Sequence, residues 1–165
     1  MGIRIIVGIY LAAIIAANLI VNQFGPTASI YIAFVLIGLD LAIRDRLHEE
    51  WKDNLRRNML ILVVAGSVIT IILNMGALSI AIASTVAFSV AFIIDGIVYH
   101  ALRKQKYLIK ANVSSLAGAG ADSILFPTIA FGAFMPGIIL GQWLAKVLGG
   151  FIWSLIISRF SKISH

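Results

Sequence analysis

The connections between apolar runs in this chain come in two kinds, and their alternation constrains the fold more than any single motif. Apolar runs at about residues 5–21, 28–43, 59–73, 78–102, 113–134 and 136–157 are joined in turn by uncharged turns and by clusters of Lys and Arg. The uncharged turns lie at Asn22, Gln23, Gly25 and Pro26, at Asn74 to Gly76, and around Met135. Arg4, the segment from Arg44 to Arg57, the segment from Arg103 to Lys110, and Arg159 with Lys162 take the alternate positions. Lys and Arg stay on the cytoplasmic side of a membrane, so the pattern predicts six crossings with both termini cytoplasmic. The expected fold class is an all-α integral membrane protein, a bundle of six transmembrane helices forming one domain over residues 1–165.

Composition agrees. A chain that is 61% hydrophobic and 12% charged lies outside the range of soluble domains. Its net charge of +6 is dispersed in short clusters between apolar runs, which points to a lipid bilayer as partner and not to nucleic acid. With no cysteine, disulfides and thiolate metal sites are excluded, and no cofactor or metal is expected. Arg4 ahead of an apolar run resembles a signal peptide. The run continues without an Ala-x-Ala-like cleavage site, so a retained helix is expected. Patterns for a zinc protease, a serine hydrolase or a phosphate-binding loop are missing, and no enzymatic activity is expected.

Two finer features bear on architecture. Leu47, Trp51 and Leu55 recur at helical spacing within the charged segment, which predicts a short amphipathic helix at the interface. Ala33-Phe34 ahead of Asp40 resembles Ala87-Phe88 ahead of Asp95, each followed by a His and an Arg, as in a parallel repeat of the second and fourth spans.

The apolar runs also carry polar groups at bilayer depth. Asp122 lies near the middle of the fifth span and Lys146 near the middle of the sixth. An ionisable group there costs at least about 2.5 kcal/mol on insertion scales, so it needs a partner, a cavity or a task. On the fourth span Ser84, Phe88, Ala91, Asp95 and Tyr99 share one face; on the fifth, Ser115, Gly118 or Ala119, Asp122 and Phe126 do so. Gln142 sits one turn before Lys146, and Asn18 is the polar residue of the first span. Such stripes suit a cavity with aromatic walls and a few polar groups, as a small planar polar ligand requires. Simpler roles stand beside this one. Asp122 and Lys146 can tie two helices together, Asp95 can cap or pair with Arg103 or another basic residue at the interface, Asp40 with Arg44 is an i, i+4 pair, and His48 and His100 suit an interface. Pro127 frees the carbonyl of Ser123 or merely kinks the helix. Gly137 and Gly141 suit either a homodimer seam or an internal one.

The run Lys110-Ala-Asn112-Val-Ser114-Ser115, then Ala121-Asp122-Ser123-Ile-Leu-Phe126, then Ala130-Phe131-Gly132, with Gln142 to Lys146 downstream, resembles the queuosine precursor transporters of the vitamin uptake transporter group. Leu39-Asp40-Leu41, the Arg44 to Glu49 run, Ile94-Asp95-Gly96 and Tyr99-His100 resemble its short members, so the likeness covers nearly the whole chain. It implies import across the inner membrane of a 7-deazaguanine: the cyano or aminomethyl precursor, or queuine. On that implication Asp122 or Asp95 accepts from the pyrimidine edge. Asn18, Gln142 and Lys146 address the carbonyl and ring nitrogens, and Phe88 and Phe126 cover the ring faces.

Overall fold

The computed structural model describes residues 3–39, 43, 47, 51 and 54–163. Among these residues there are six helices and no strand. They are α1 (Ile3–Phe24), α2 (Pro26–Ile37), α3 (Leu55–Leu73), α4 (Leu78–Ala101), α5 (Tyr107–Phe131) and α6 (Pro136–Ile163). A short 3₁₀ turn, Met75–Ala77, joins α3 to α4.

By length and composition, three stretches can cross a membrane: Ile3–Phe24, Met75–Ala101 and Asn112–Phe131. Pro26–Ile37 and Arg57–Leu73 are apolar but shorter. At about 1.5 Å per residue, the 28 residues of α6 extend about 42 Å. Rows of large apolar side chains point outward, among them Ile5, Ile61, Ile72, Ile93, Ile97 and Leu148. An aqueous surface of that kind would be unstable, whereas hydrocarbon solvates it without cost.

Several ends depart from the hydropathy-based spans. Sequence context puts Pro26 in a turn, yet it opens α2, where its missing N–H and fixed φ suit the first helical position. Gly25 before it has φ 76°, which a residue with a side chain rarely adopts. α5 stops at Phe131 and not at Phe134, because Gly132 takes the left-handed conformation that ends helices. α3 begins at Leu55 and α6 runs to Ile163, past the expected ends at 59 and 157. Hydropathy marks the slab of hydrocarbon, whereas backbone hydrogen bonding continues into the interface.

The helices close into a ring in the order α1–α3–α4–α5–α6–α2, with α1 also touching α4 across it. The close approach of α4 and α5 depends on Gly118, where a Cβ would lie 3.1 Å from the carbonyl oxygen of Ala91 and 3.2 Å from Cβ of Asp95. At the α2–α6 crossing, a Cβ on Gly38 would come within 2.8 Å of the Gly149 backbone, and one on Gly149 would overlap the Phe34 carbonyl. Gly141 meets Ile30 at the same seam, so it serves an internal contact, while Gly137 faces open space.

Within α2, residues Ala33–Ile37 form a π-helical turn. The wider turn disturbs the carbonyl ladder, and Trp153 Nε1 of α6 donates to the Val35 carbonyl at 2.9 Å. α4 is α-helical throughout, so the two spans that resemble a repeat differ at Ala33 against Ala87.

The charged segment before α3 also departs from expectation. Ile43, Leu47 and Trp51 are helical, but Ile43, Leu47 and Leu55 are buried in a core with Ile6, Tyr10, Ile14, Met59 and Val63. The apolar stripe therefore packs on α1 and α3 and does not face lipid. Asp40, Arg44 and His48 lie outside the described residues, as does any pairing among them.

Candidate functional site

The ring encloses a cavity of about 80 Å³, room for several water molecules. Six of the residues singled out from the sequence line it: Asn18, Phe88, Asp122, Phe126, Gln142 and Lys146. The seventh, Asp95, does not. It lines a second cavity of about 50 Å³, nearer the Arg103 to Lys110 connection, together with Phe92, Ser115 and Gly118. Ile37, Phe88, Asp122 and Lys146 border both.

The polar centre is built from the midpoints of α5 and α6. Lys146 Nζ donates to Asp122 Oδ2 at 2.5 Å, to Ser123 Oγ at 3.0 Å and to Gln142 Oε1 at 3.4 Å. An ammonium group has three N–H donors, and here each has an acceptor. Gln142 and Lys146 meet because four residues is one helical turn. The Gln142 amide then donates to Ser29 Oγ at 2.7 Å, and the Ser29 hydroxyl donates to the Pro26 carbonyl in the first turn of α2. A continuous hydrogen-bonded chain thus links α2, α6 and α5.

Burial is unequal across the pair. The Lys146 side chain is 4% exposed and that of Asp122 is 23% exposed. The ammonium is enclosed by protein, while the carboxylate faces the cavities. The aromatic walls are ordered too: Phe88 stacks on Phe92 with ring centroids 5.8 Å apart, and Phe126 meets Phe131 edge-on at 6.3 Å. Asn18, on the opposite wall, donates weakly to Thr70 Oγ1 at 3.5 Å, and Thr70 is anchored to the Gly66 carbonyl.

Three details differ from the sequence-based expectation. The residues singled out from the sequence lie on the first, fourth, fifth and sixth spans, but α2 also supplies Ser29, Ala33 and Ile37 to the cavity, and α3 supplies Val63. Ser29 carried the same signal as Asn18, a polar side chain in an apolar span, and its burial to 3% follows from its place in the chain of hydrogen bonds. Ser123 joins the centre through its hydroxyl, whatever the carbonyl freed by the buried Pro127 does. Asp95 forms no ion pair with Arg103: among the described residues its Oδ1 is buried and meets no hydrogen-bond partner. Tyr99 instead receives Lys110 over its ring, at 4.7 Å, and closes the α4–α5 connection.

Chemically, the centre is a carboxylate acceptor held in place by an ammonium group, in a cavity also lined by the rings of Phe88 and Phe126. Among the described residues no group of His, Asp and Glu side chains is placed to hold a metal ion.

Neither a curated protein nor a solved structure matches the chain. The family model described as "Putative vitamin uptake transporter" matches residues 4–159, nearly the whole length. The chain belongs to the vitamin uptake transporter family, as its resemblance in sequence implied.

Proposed function

We propose, starting from membership of that family, that this protein imports a 7-deazaguanine across the cell inner membrane as a precursor of queuosine. The single observation that carries the reading is the Asp122 carboxylate, gripped by a buried Lys146 and exposed to a cavity walled by Phe88 and Phe126. A guanine-like edge offers adjacent N–H donors that one carboxylate accepts at two points, and its ring offers faces for the phenyl groups. Because every Lys146 donor is already engaged, Lys146 acts by holding the Asp122 carboxylate in place and aimed. Gln142 fixes Lys146 in turn, and Asn18 faces the ligand from α1.

In this reading residues 1–165 form one transporter domain that crosses the membrane six times with both termini cytoplasmic. Transport proceeds by alternating access around the central cavity, without ATP hydrolysis by this chain. Two copies associate as a homodimer, with Gly137 on an open face of α6.

One observation favours a competing reading: the saturation of Lys146 by protein acceptors is what a purely structural tie between α5 and α6 would show. Thermal unfolding separates the two. The purified protein is heated with the cyano precursor, the aminomethyl precursor, queuine or guanine, as wild type and as Asp122→Asn. A ligand at about 100 times its Kd adds about 2.7 kcal/mol of stability. Stabilisation by a deazapurine that is lost in Asp122→Asn is the expected result. No stabilisation by any of the four in the wild type refutes the functional reading. Uptake into vesicles containing this chain alone then distinguishes a complete transporter from a capture subunit that needs energising partners.

A further inference from the structure

The second cavity is set apart from the first by a layer, and its main polar group is unused. On α4, Ser84 lines the first cavity, Phe88 both, and Asp95 the second; on α5, Phe126 lines the first, Asp122 both, and Ser115 the second. The two cavities are therefore stacked along the bundle, with Asp122, Lys146, Phe88 and Ile37 between them. The second lies toward the basic connection. A carboxylate oxygen buried without a donor is costly in any fold, and more so at membrane depth. Asp95 Oδ1 is such an oxygen. Beside it are the same elements found in the first cavity: an aromatic face from the Phe88–Phe92 stack, a serine hydroxyl and the Asp122 carboxylate. Gly118 and Ala119 supply a low apolar floor, and at Gly118 a side chain would press on Asp95 itself.

We infer that the Asp95 cavity is a second ligand station, taking the same flat, N–H-donating heterocycle after it leaves Asp122 and before it reaches the cytoplasmic side. The inference rests on the transport reading above. The missing donor to Asp95 Oδ1 is then the N–H edge of the ligand, and the Asp122–Lys146 layer is the partition that the ligand crosses. Asp95 does not line the first cavity, so its removal spares capture and impairs passage.

The chain has no cysteine, which permits a test that does not depend on any ligand. Ser84→Cys and Ser115→Cys are made singly and treated in oriented vesicles with a membrane-impermeant thiol reagent. Modification of Ser84→Cys from the outer side and of Ser115→Cys from the cytoplasmic side is expected; modification of both from one side overturns the partition. Asp95→Asn is then examined for both thermal stabilisation and uptake. The expected result is full stabilisation by the deazapurine, which also certifies the fold, with uptake lowered about tenfold or more, as loss of a charge-assisted hydrogen bond predicts. Uptake at the wild-type rate overturns the inference, and so does loss of stabilisation to the extent seen in Asp122→Asn. Failure of the wild type to be stabilised at all would refute the transport reading instead, and the labelling result would still decide whether the two cavities are separate compartments.

Discussion

Replacing Lys146 by Met removes the cation from the centre while keeping its length and its apolar stem. Asp122, Ser123 and Gln142 then each lose a donor in one step. Breaking a buried ion pair by deleting one partner costs about 3–5 kcal/mol. Asp122 retains 23% exposure to the cavities and is partly solvated, which puts the expected loss at the lower end, about 3 kcal/mol. For a chain of this length, that corresponds to a fall in Tm of about 6–12 °C. The companion variant Asp122→Asn/Lys146→Met removes both charges and leaves no bare carboxylate, so it recovers much of the loss. Thermal unfolding of the four proteins, wild type, both singles and the double, in one detergent gives the coupling directly. If Lys146→Met unfolds at the wild-type temperature, or if the double variant is no better than Lys146→Met, the pair is not the cohesive unit described above.

Other expectations follow from individual contacts. Gln142→Leu leaves Lys146 one acceptor short and deprives Ser29 of its donor, so a loss of about 1–3 kcal/mol in thermal unfolding is expected, with weaker deazapurine binding. Trp153→Phe keeps the packing at the α2–α6 seam but removes one of the two donors to the Val35 carbonyl, leaving the Gly38 N–H; about 1 kcal/mol or less should be lost, with no change in ligand affinity by titration. Gly149→Ala drives a methyl into the Phe34 carbonyl and should reduce the yield of folded protein in detergent, whereas Gly137→Ala, in open space, should not. Phe126→Leu removes a ring face from the first cavity and its edge contact with Phe131; a rise in Kd of about 2–10-fold is expected with a stability loss of only about 0.5–1.5 kcal/mol.

Much of the fold was legible because its causes are local. Apolar runs interrupted by basic clusters lead to helices, and Asp122 and Lys146 announce a partnership by being too costly to leave alone at that depth. Their pairing was therefore available from spacing and burial alone. The π turn was not, since Ala33-Phe-Val-Leu-Ile reads as an ordinary helical run and the extra residue is accommodated through Gly149 and Trp153, more than a hundred positions away. Of the α2 residues at the cavity, Ser29 carried a polar signal in an apolar span, whereas Ala33 and Ile37, within the turn, carried none. The direction of the Leu47 stripe was ambiguous for a different reason: an amphipathic helix beside a membrane can bury its apolar side in lipid or in protein, and only the free surfaces of α1 and α3 decide between them. Asp95 and Asp122 looked equivalent because each lies on a stripe with Phe and Ser, and depth along the bundle is what separates them.

An α-helix advances about 100° per residue, so a turn holding one residue too many offsets everything after it by that angle relative to everything before. The first half of α2 is phased to bring Ser29 to Gln142 and Ile30 to Gly141, and the second half is phased to bring Gly38 to Gly149. Deleting a single residue between 33 and 37 would preserve the first set of contacts and swing Gly38 off its partner. The two ends of one helix thus dock on α6 as if they were separate parts, joined by an adjustable coupling at the depth of the cavity wall.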